Sequence, residues 1–246
     1  MNDAVFISDL HLHPHMPDIM DRFRKFIHWA SKNTLAVYIL GDFLHVWPGD
    51  DALDAWSEDI SSLLAQLSAH NVKVYFLPGN RDFLIGNTFL QKANMVLLQE
   101  PALITLGKER ILLAHGDQYC TGDVSHQWLR RLTRNRWFKP LFLRLPYRVR
   151  HRIVNQARSY SQSNQRKSKA SMDIVPKPML ADLCRFEAAA LIHGHTHQPG
   201  LKIHRYQEKD LRQYTLSDWD ENPAVLCYNR SKYLFSNVCG ERTHGN

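Results

Sequence analysis

Five short polar motifs in this 246-residue chain contain side chains that bind divalent metal ions. Each motif ends a short apolar run or follows one within a residue or two, as expected where a buried strand reaches the edge of a sheet. Side chains from distant segments can converge at such an edge. The motifs are Asp9-Leu10-His11, Gly41-Asp42, Gly79-Asn80-Arg81-Asp82, His115-Gly116-Asp117 and Gly194-His195-Thr196-His197.

Seven side chains in these motifs are candidate metal ligands, and none of them is a thiolate. Carboxylate, imidazole and amide ligands favour Mn, Fe or Zn over a structural zinc site. Seven ligands exceed the need of one ion and suit two ions that share a carboxylate. Two ions about 3.5–4 Å apart can hold a bridging hydroxide and clamp the phosphoryl oxygens during an in-line displacement. The candidates are Asp9, His11, Asp42, Asn80, His115, His195 and His197.

The spacing within two of the motifs adds to this prediction. Asp9 and His11 are separated by one residue, as are His195 and His197, so on an extended strand both members of a pair face the same side. A lone Asp-x-His or Gly-Asp motif usually belongs to an ordinary turn. Five motifs in this order instead indicate a two-metal phosphoester hydrolase, which requires no Ser or Cys nucleophile.

The apolar runs and the segments between them predict an α/β fold. Strands and helices alternate through the first third of the chain, which implies parallel pairing, right-handed crossovers and ligands beyond the carboxyl ends of the strands. The early elements are strands at residues 5–7, 37–40, 72–77 and 111–113 and helices at residues 18–32 and 53–70. The later elements are a helix at 179–189, a strand at 190–192 and antiparallel strands at 201–206, 212–216, 224–228 and 233–238.

The composition is that of one globular domain spanning residues 1–246, with 44% hydrophobic and 22% charged residues. The four cysteines are scattered, and we expect them to be reduced. The sequence shows no signal peptide and no internal repeat. No apolar run approaches the roughly 20 residues that a membrane-spanning helix needs.

Positive charge is concentrated in residues 121–170, which carry 13 Lys or Arg against one acidic residue, Asp123. This segment has a net charge of +12 in a chain of formal net charge +7, so the remainder is mildly acidic. It breaks the alternation of strands and helices, contains Pro140 and Pro146, and places aromatic residues among its arginines. It predicts a helical insertion with an anionic partner: nucleic acid, a phospholipid surface or a phosphorylated substrate.

Longer segments around the motifs carry a family resemblance. They are Ser8-Asp9-Leu10-His11-Leu12, Tyr38-Ile39-Leu40-Gly41-Asp42-Phe43, Gly49-Asp50-Asp51, Gly79-Asn80-Arg81-Asp82-Phe83-Leu84, His115-Gly116-Asp117, Cys120-Thr121 and Leu191-Ile192-His193-Gly194-His195-Thr196-His197. Their order resembles that of the calcineurin-like metallophosphoesterases. A closer resemblance, from about Val5 to Pro199, is to the UDP-2,3-diacylglucosamine diphosphatases of the bacterial lipid A pathway. The resemblance implies a two-sheet sandwich flanked by helices, with a helical cap at residues 121–170.

The resemblance also implies a ligand set. One metal would be held by Asp9, His11 and His197. The other would be held by Asn80, His115 and His195, with Asp42 bridging the two. In the family these are two divalent ions, and the resemblance favours Mn²⁺.

The family reaction hydrolyses the pyrophosphate of UDP-2,3-diacylglucosamine by attack at the uridine-side phosphorus, and it releases UMP and 2,3-diacylglucosamine 1-phosphate (lipid X). The resemblance therefore implies a UDP-linked diacylated glucosamine as the substrate. It also implies a peripheral position on the cytoplasmic face of the inner membrane of a Gram-negative bacterium. We expect the chain to be a monomer.

Arg81 independently favours a diphosphatase. Many metallophosphoesterases carry His after the Gly-Asn pair, where it can protonate an alkoxide leaving group, whereas arginine stays charged near neutral pH. Arginine grips a phosphate through a bidentate fork, and a leaving phosphate monoester, with a last pKa of about 6, needs little protonation. The predicted catalytic residues are Asp42, Asn80, Arg81 and His115.

The insertion would supply most of the substrate recognition. Ser161 matches a family serine if the loop is one residue shorter, and Gly122 stands where the family often has a second Asp. Aromatic and leucine residues between positions 128 and 147 either line a slot for two acyl chains or pack as ordinary helices, and the arginines around them suit anionic lipid headgroups. By resemblance to the family, the predicted substrate-binding residues are Asn80, Arg81, Asp123, Ser161, Asn164, Lys167 and His195.

Two other functions fit part of the sequence. A nuclease or cyclic-nucleotide phosphodiesterase on the same scaffold would use the cationic segment to grip a phosphate backbone, with steep salt dependence. Arg81 and the leucine-rich insertion argue against it, so no nucleic-acid partner is expected. A binding module that has lost catalysis would have no reason to keep all seven ligands.

Overall fold

The computed structural model describes residues 1–163 and 173–238, with side chains described for residues 1–157 and 173–238. Within these ranges the strands are β1 (Ala4–Ile7), β2 (Ala36–Leu40), β3 (Lys73–Leu77), β4 (Met95–Leu97), β5 (Ala102–Leu106), β6 (Glu109–Leu113), β7 (Ala190–His193), β8 (Gly200–Tyr206), β9 (Lys209–Thr215), β10 (Ala224–Asn229) and β11 (Lys232–Asn237). The helices are α1 (Pro17–Asn33), α2 (Ala55–Ala69), α3 (Asn87–Lys92), α4 (Val124–Thr133), α5 (Phe138–Leu143), α6 (Tyr147–Ser163) and α7 (Pro176–Arg185).

The strands form two sheets. The first has six strands in the order β11-β10-β1-β2-β3-β4, and β1 to β4 are parallel. The second has five strands in the order β5-β6-β7-β9-β8, with β6, β7 and β9 parallel. In the first sheet the parallel strands extend to the β4 edge and the β10–β11 hairpin forms the other edge, whereas in the second sheet the parallel strands lie between two antiparallel edge strands. The carboxyl ends of the parallel strands form one rim in each sheet.

Three hydrophobic layers hold the molecule together. Alternation along β1 shows the arrangement, because Val5 and Ile7 face the layer that contains α1 and α2, while Phe6 faces the layer between the sheets. The middle layer joins both sheets, and it includes Ile111 and Ile192. A third layer packs α7 against the outer face of the second sheet. The result is a two-sheet sandwich flanked by helices, which confirms the predicted fold class.

Most of the predicted elements are present. The four strands before the fourth motif, the helices that became α1 and α2, and strand β7 are confirmed, with ends shifted by a few residues. The later helix was placed too far along the chain, because α7 begins at Pro176 and ends at Arg185. The expectation of antiparallel strands at the end of the chain is confirmed for the β8–β9 and β10–β11 hairpins, and β9 also pairs in parallel with β7.

The charged segment at residues 121–170 contains α4, α5 and α6 as far as it is described. These helices expose several large apolar side chains, including Trp128 at 67%, Trp137 at 61% and Leu141 at 57%. Arg150 of α6 is 2% exposed, donates to the Pro48 carbonyl at 2.6 Å and pairs with Asp51, so it fastens α6 to the loop after β2. None of the helices within the described ranges combines the length and the apolar character needed to cross a membrane.

Truncation of Phe26 to alanine is expected to lower the free energy of unfolding by about 3–5 kcal/mol, because the ring is fully buried on α1 and its loss leaves a cavity. The Phe26 and Trp219 ring centroids are 5.7 Å apart, so the cavity also removes an aromatic contact. Urea denaturation measures the difference. Leu35→Ala is the control, because Leu35 is 49% exposed and should change stability by no more than about 0.5 kcal/mol. Equal effects of the two changes would contradict the layered core.

Candidate metal centre

Every one of the five motifs follows the carboxyl end of a parallel strand by two or three residues. Strands β1, β2 and β3 lead to Asp9, Asp42 and Asn80 in the first sheet. Strands β6 and β7 lead to His115 and His195 in the second sheet. The two rims face each other across the sandwich, so ligands from both sheets meet at one end of the molecule.

The backbone at the ligands is unusual. Five of the seven candidates lie in the left-handed region with φ between 50° and 69°: Asp9, His11, Asp42, His195 and His197. This conformation costs energy for a residue with a side chain and is concentrated at functional sites. The expectation that an extended backbone aligns each i, i+2 pair is therefore wrong. The strands end before the ligands, and tight loops place these side chains.

Asp42 lies at the centre of the cluster. Its Oδ2 is 4.0 Å from His11 Nδ1 and its Oδ1 is 3.7 Å from His115 Nε2. Two groups of ligand atoms meet around it: those of Asp9, His11 and His197, and those of Asp9, Asp42 and His115. Asn80 Oδ1 is 2.9 Å from His115 Nε2. Asp42, the residue that the resemblance assigns as the bridging carboxylate, therefore lies between the two sides of the site.

His195 enters the cluster from the opposite sheet. Its ring centroid is 5.0 Å from that of His115, and its backbone N–H donates to Asp9 Oδ2 at 2.8 Å. The structure thus brings all seven predicted metal ligands into one cluster.

The buried polar atoms of the cluster fit divalent cations. Both ring nitrogens of His11 are buried and have no hydrogen-bond partner among the described residues. Leaving two imidazole nitrogens unpaired in the interior is costly unless another group supplies the partner. The Asp9 carboxylate is also buried, and His197 Nε2 lies 3.3 Å from its Oδ1. Oxygen and imidazole donors of this kind match the preferences of Mn, Fe and Zn.

Neighbouring groups hold two of the histidines in orientations suited to metal binding. His115 Nδ1 lies 2.9 Å from the Leu40 carbonyl, which can only accept, so Nδ1 carries a proton and Nε2 faces the cluster. Asp218 Oδ2 lies 3.2 Å from His197 Nδ1 and leaves Nε2 pointing toward Asp9. A carbonyl or carboxylate behind a ligand imidazole fixes its tautomer and raises its basicity.

Asp82 joins two of the ligand loops. Its buried carboxylate accepts from the backbone N–H of Phe43 at 2.7 Å and of Gly79 at 2.8 Å. Burial, reinforced by the charge of Asp42, raises the pKa of Asp82 to about 7. Gly79 permits this close approach, because a Cβ at that position would overlap the Asp42 carboxylate. The loops that carry Asp42 and Asn80 are thus bound to each other before any ligand arrives.

A second network links α4 to His115. Glu100 Oε1 accepts from the His115 backbone N–H at 2.7 Å, and Glu100 Oε2 accepts from Arg130 at 2.8 Å. Arg130 also donates through Nε to Asp117 at 3.0 Å. Helix α4 is therefore linked to His115 through Glu100.

The histidines of the cluster differ in charge. Burial, together with the charge of the neighbouring His115, lowers the pKa of His195 to about 3, so His195 is neutral. Burial also disfavours a charge on His115, but the carboxylates Asp42 and Asp9 outweigh it and raise the pKa to about 9. The same balance at His197, with hydrogen bonds to Asp218 and Asp9, raises its pKa to about 10.

Metal binding at pH 7 is expected to release between about one and two protons per chain. In the metal-free protein His115 and His197 are protonated at that pH, and a metal ion binds only the unprotonated imidazole. Metal affinity should therefore fall as the pH is lowered from 9 to 6. Titration calorimetry with Mn²⁺ in two buffers of different ionisation enthalpy measures the release. Identical heats in both buffers would contradict this account.

The predicted substrate-binding residues are only partly described. Arg81 Nε lies 3.2 Å from Asp42 Oδ2, so its guanidinium is at the mouth of the cluster. Asp123 Oδ1 accepts from the His126 backbone N–H at 3.1 Å and caps α4. Ser161 lies near the end of α6, beyond residue 157, where the described side chains stop. Asn164 and Lys167 lie outside the described residues. Their predicted roles stay predictions.

A cleft joins the metal cluster to α4, α5 and α6. Its polar end is lined by Asn80, Arg81 and Asp117. The rest of its wall is largely apolar and includes Leu84, Leu129, Phe138, Phe142, Ile153 and Val154. One continuous cleft thus offers a polar end beside the candidate metal ligands and an apolar end, which suits an amphipathic phosphate ester.

Sequence reasoning missed several residues that support the site. Asp218 follows strand β9 by three residues, so the same rule that identified the ligands could have identified it. Asp82 was inside a quoted motif but received no role. Glu100 and Arg130 gave no local signal, because their importance comes from pairing across 30 residues of sequence.

Comparison with known proteins agrees with this geometry. Residues 4–199 match the family model of the calcineurin-like phosphoesterases. A protein of Aeromonas hydrophila subsp. hydrophila named UDP-2,3-diacylglucosamine hydrolase is 38% identical over 224 residues, which cover 91% of this chain and 93% of that protein. One of the same name from Aeromonas salmonicida is 40% identical over 224 residues, 91% of this chain and 88% of that protein.

Among solved structures, an archaeal phosphodiesterase aligns over 95% of this chain and 98% of its own, with a TM-score of 0.49 and 11% identity. The family match and the two ligand groups together assign divalent metal ions as cofactor. The chain belongs to the calcineurin-like phosphoesterase family.

Proposed function

We propose that this chain hydrolyses the pyrophosphate bond of UDP-2,3-diacylglucosamine to UMP and 2,3-diacylglucosamine 1-phosphate, a step of lipid A biosynthesis. The main support for this proposal is a continuous cleft that runs from the candidate metal ligands, past Arg81, to an apolar wall on α5 and α6. A diphosphate fits the first end and acyl chains fit the second. Relatives 38–40% identical over most of their length bear the name of this hydrolase.

Two divalent ions, Mn²⁺ by resemblance, are the proposed cofactor. Asp9, His11 and His197 would hold one ion. Asn80, His115 and His195 would hold the other, and Asp42 would contact both. When bound, the ions supply a nucleophile from water and neutralise charge on the phosphoryl oxygens.

Arg81 is proposed to bind the phosphoryl oxygens of the substrate. Its guanidinium lies beside Asp42 at the mouth of the cluster and remains charged through the reaction. It offers two parallel donors to phosphoryl oxygens as negative charge shifts toward the leaving group. The leaving 2,3-diacylglucosamine 1-phosphate is a phosphate monoester and needs little protonation, so no general acid has to replace the arginine.

Replacing Arg81 by lysine is expected to lower kcat/KM for the acylated substrate by about 10²-fold, because lysine keeps the charge but loses the fork. Steady-state kinetics on the purified variant measures the effect. Arg24→Lys is the control, since Arg24 pairs with Asp59 on the exposed surface of α1 and α2 and should be neutral. A value of Arg81→Lys within 3-fold of the wild type would remove Arg81 from the catalytic residues.

Residues 121–170 are proposed to act as a cap on one metallophosphoesterase domain and to bring it to the membrane. Trp128, Trp137 and Leu141 are exposed on α4 and α5, and the Arg136 guanidinium lies 5.0 Å from the Trp137 ring. Exposed aromatics among arginines suit the interface of an anionic bilayer. The proposed location is the cytoplasmic face of the inner membrane of a Gram-negative bacterium, with the chain as a monomer.

Vesicle sedimentation tests the membrane proposal. Wild-type protein should sediment with phosphatidylglycerol vesicles, and Trp128→Ser together with Trp137→Ser should reduce the bound fraction by about 10-fold. Phosphatidylcholine vesicles are the charge control. Equal binding of the wild type and the double variant would remove this surface from the proposal.

Isotope labelling tests the reaction itself. In H₂¹⁸O the label should appear in UMP and not in the sugar phosphate, since the proposed attack is at the uridine-side phosphorus. Mass spectrometry of both products distinguishes the two. Label in the sugar phosphate would overturn the position of attack, and no release of UMP would overturn the proposed substrate.

A further inference from the structure

His126 stands at the junction between the two ends of the cleft and has no role in the metal cluster. It lines the cleft together with Asn80 and Arg81 on the polar side and Leu129 on the apolar side. Its ring centroid is 5.4 Å from that of His195, so it lies directly beside a proposed ligand. In the proposed substrate the glucosamine ring joins the diphosphate to the two acyl chains.

The backbone at His126 is held in place by several hydrogen bonds. Its backbone N–H donates to Asp123 Oδ1 at 3.1 Å, which caps the start of α4. The next residue, Gln127, donates through Nε2 to the Asp117 carbonyl at 2.7 Å and to the Cys120 carbonyl at 3.1 Å. The first turn of α4 is therefore fastened to the loop that follows His115, and this holds the backbone of His126 beside the cleft.

One nitrogen of this ring is left without a partner. His126 Nδ1 is buried and has no hydrogen-bond partner among the described residues. A buried polar nitrogen is costly to leave unpaired, and in a substrate cleft a bound molecule can supply the partner. A ring that lines the cleft and keeps one nitrogen without a partner offers a hydrogen-bonding group to a bound molecule.

We infer that His126 is a specificity-determining residue that hydrogen-bonds the sugar phosphate of the substrate, at the point where the polar end of the cleft meets the apolar end. The inference deepens the proposed function and rests on it. Neither the motif set nor the charged segment pointed to this residue, because a histidine on a helix carries no signal by itself. Its position beside His195 and its unpaired nitrogen single it out.

Substitution by phenylalanine separates this role from packing, because phenylalanine keeps a ring beside His195 and removes both nitrogens. His126→Phe is expected to raise KM for the acylated substrate and the inhibition constant of 2,3-diacylglucosamine 1-phosphate by about 10-fold each. The inhibition constant of UMP should change by less than 2-fold. His126→Gln, which restores a hydrogen-bonding side chain, should recover most of the loss. His151→Phe is the matched control, since His151 is an exposed histidine on α6.

Metal content and melting temperature of each variant complete the test. Unchanged constants in His126→Phe would overturn the inference. A fall in kcat accompanied by loss of metal would also overturn it, because His126 would then act only through His195. Failure of His126→Gln to recover any of the loss would also overturn the inference, because a hydrogen-bonding side chain at this position would then not restore binding. A wild-type enzyme that releases no UMP would instead overturn the proposed function, so the two failures are distinguishable.

Discussion

Replacement of Asp42 by alanine is expected to lower turnover by roughly 10⁴-fold or more, the largest effect of any single substitution in this chain. The Asp42 carboxylate faces both sides of the cluster, with its oxygens 4.0 Å from His11 Nδ1 and 3.7 Å from His115 Nε2. Its removal would leave two divalent ions without a shared ligand and increase their mutual repulsion. Steady-state assays at saturating Mn²⁺ measure the loss.

The control for this substitution is Asp59→Ala, which removes an exposed carboxylate that pairs with Arg24. That change should leave turnover within about 2-fold of the wild type, since exposed ion pairs contribute little. Circular dichroism of Asp42→Ala should show a folded protein, because the hydrophobic layers are independent of the cluster. Retention of a tenth of wild-type turnover by folded Asp42→Ala would contradict a bridging role.

Removal of metal is the second change with a large expected effect. Dialysis against a chelator should abolish turnover, and Mn²⁺ should restore it with saturation at two ions per chain. The reason is that the seven candidate ligands include no Ser or Cys nucleophile, and both ring nitrogens of His11 are buried without a hydrogen-bond partner among the described residues. Metal analysis run in parallel with the activity assay gives the stoichiometry.

The results of metal removal and reconstitution distinguish the proposed hydrolase from a binding module that has lost catalysis. Turnover that survives in protein stripped to below about 0.1 ion per chain would contradict metal-dependent hydrolysis. Saturation at less than one ion per chain after reconstitution would favour a binding module that has lost catalysis. Restoration by Mn²⁺ but not by Ca²⁺ would agree with the imidazole-rich donor set, because Ca²⁺ prefers oxygen ligands.

The nuclease alternative makes a different prediction. A protein that tracked a nucleic-acid backbone through its cationic segment would lose affinity steeply as salt increased. Several of these cations are instead engaged within the chain. Arg130 pairs with Glu100, Arg134 donates to the Pro78 and Gly79 carbonyls at 3.0 Å, and Arg150 is buried.

Much of the fold could be predicted from the sequence because its signals are local. The apolar runs of β1, β2 and β3 stand directly before ligand motifs, and α1 and α2 show helical spacing over more than four turns. Strands β4 and β5 and the short helix α3 gave no such signal, since β4 has only three residues and exposes two of them. Pairing across the chain, as in the parallel β7–β9 contact, is set by the whole sheet and cannot be seen locally.

The candidate site could likewise be predicted from the sequence only in part. Ligand identities were predictable, because carboxylates and imidazoles at strand ends are rare in combination. The backbone that presents them was not, since the left-handed φ of Asp9 or His197 depends on loop contacts such as that between the His195 N–H and Asp9 Oδ2. Asp218 follows β9 as the candidate ligands follow their strands, but its pairing with His197 depends on the contact between two loops and gives no local signal.

The most direct test of the central claim is product analysis with three substrates under identical conditions with Mn²⁺. The substrates are UDP-2,3-diacylglucosamine, UDP-glucose and bis-p-nitrophenyl phosphate, and the products are separated by chromatography. We expect UMP from the acylated substrate and little turnover of the other two, since only the acylated substrate fills both ends of the cleft. Faster hydrolysis of bis-p-nitrophenyl phosphate than of the acylated substrate would retain the metal centre but contradict the proposed substrate.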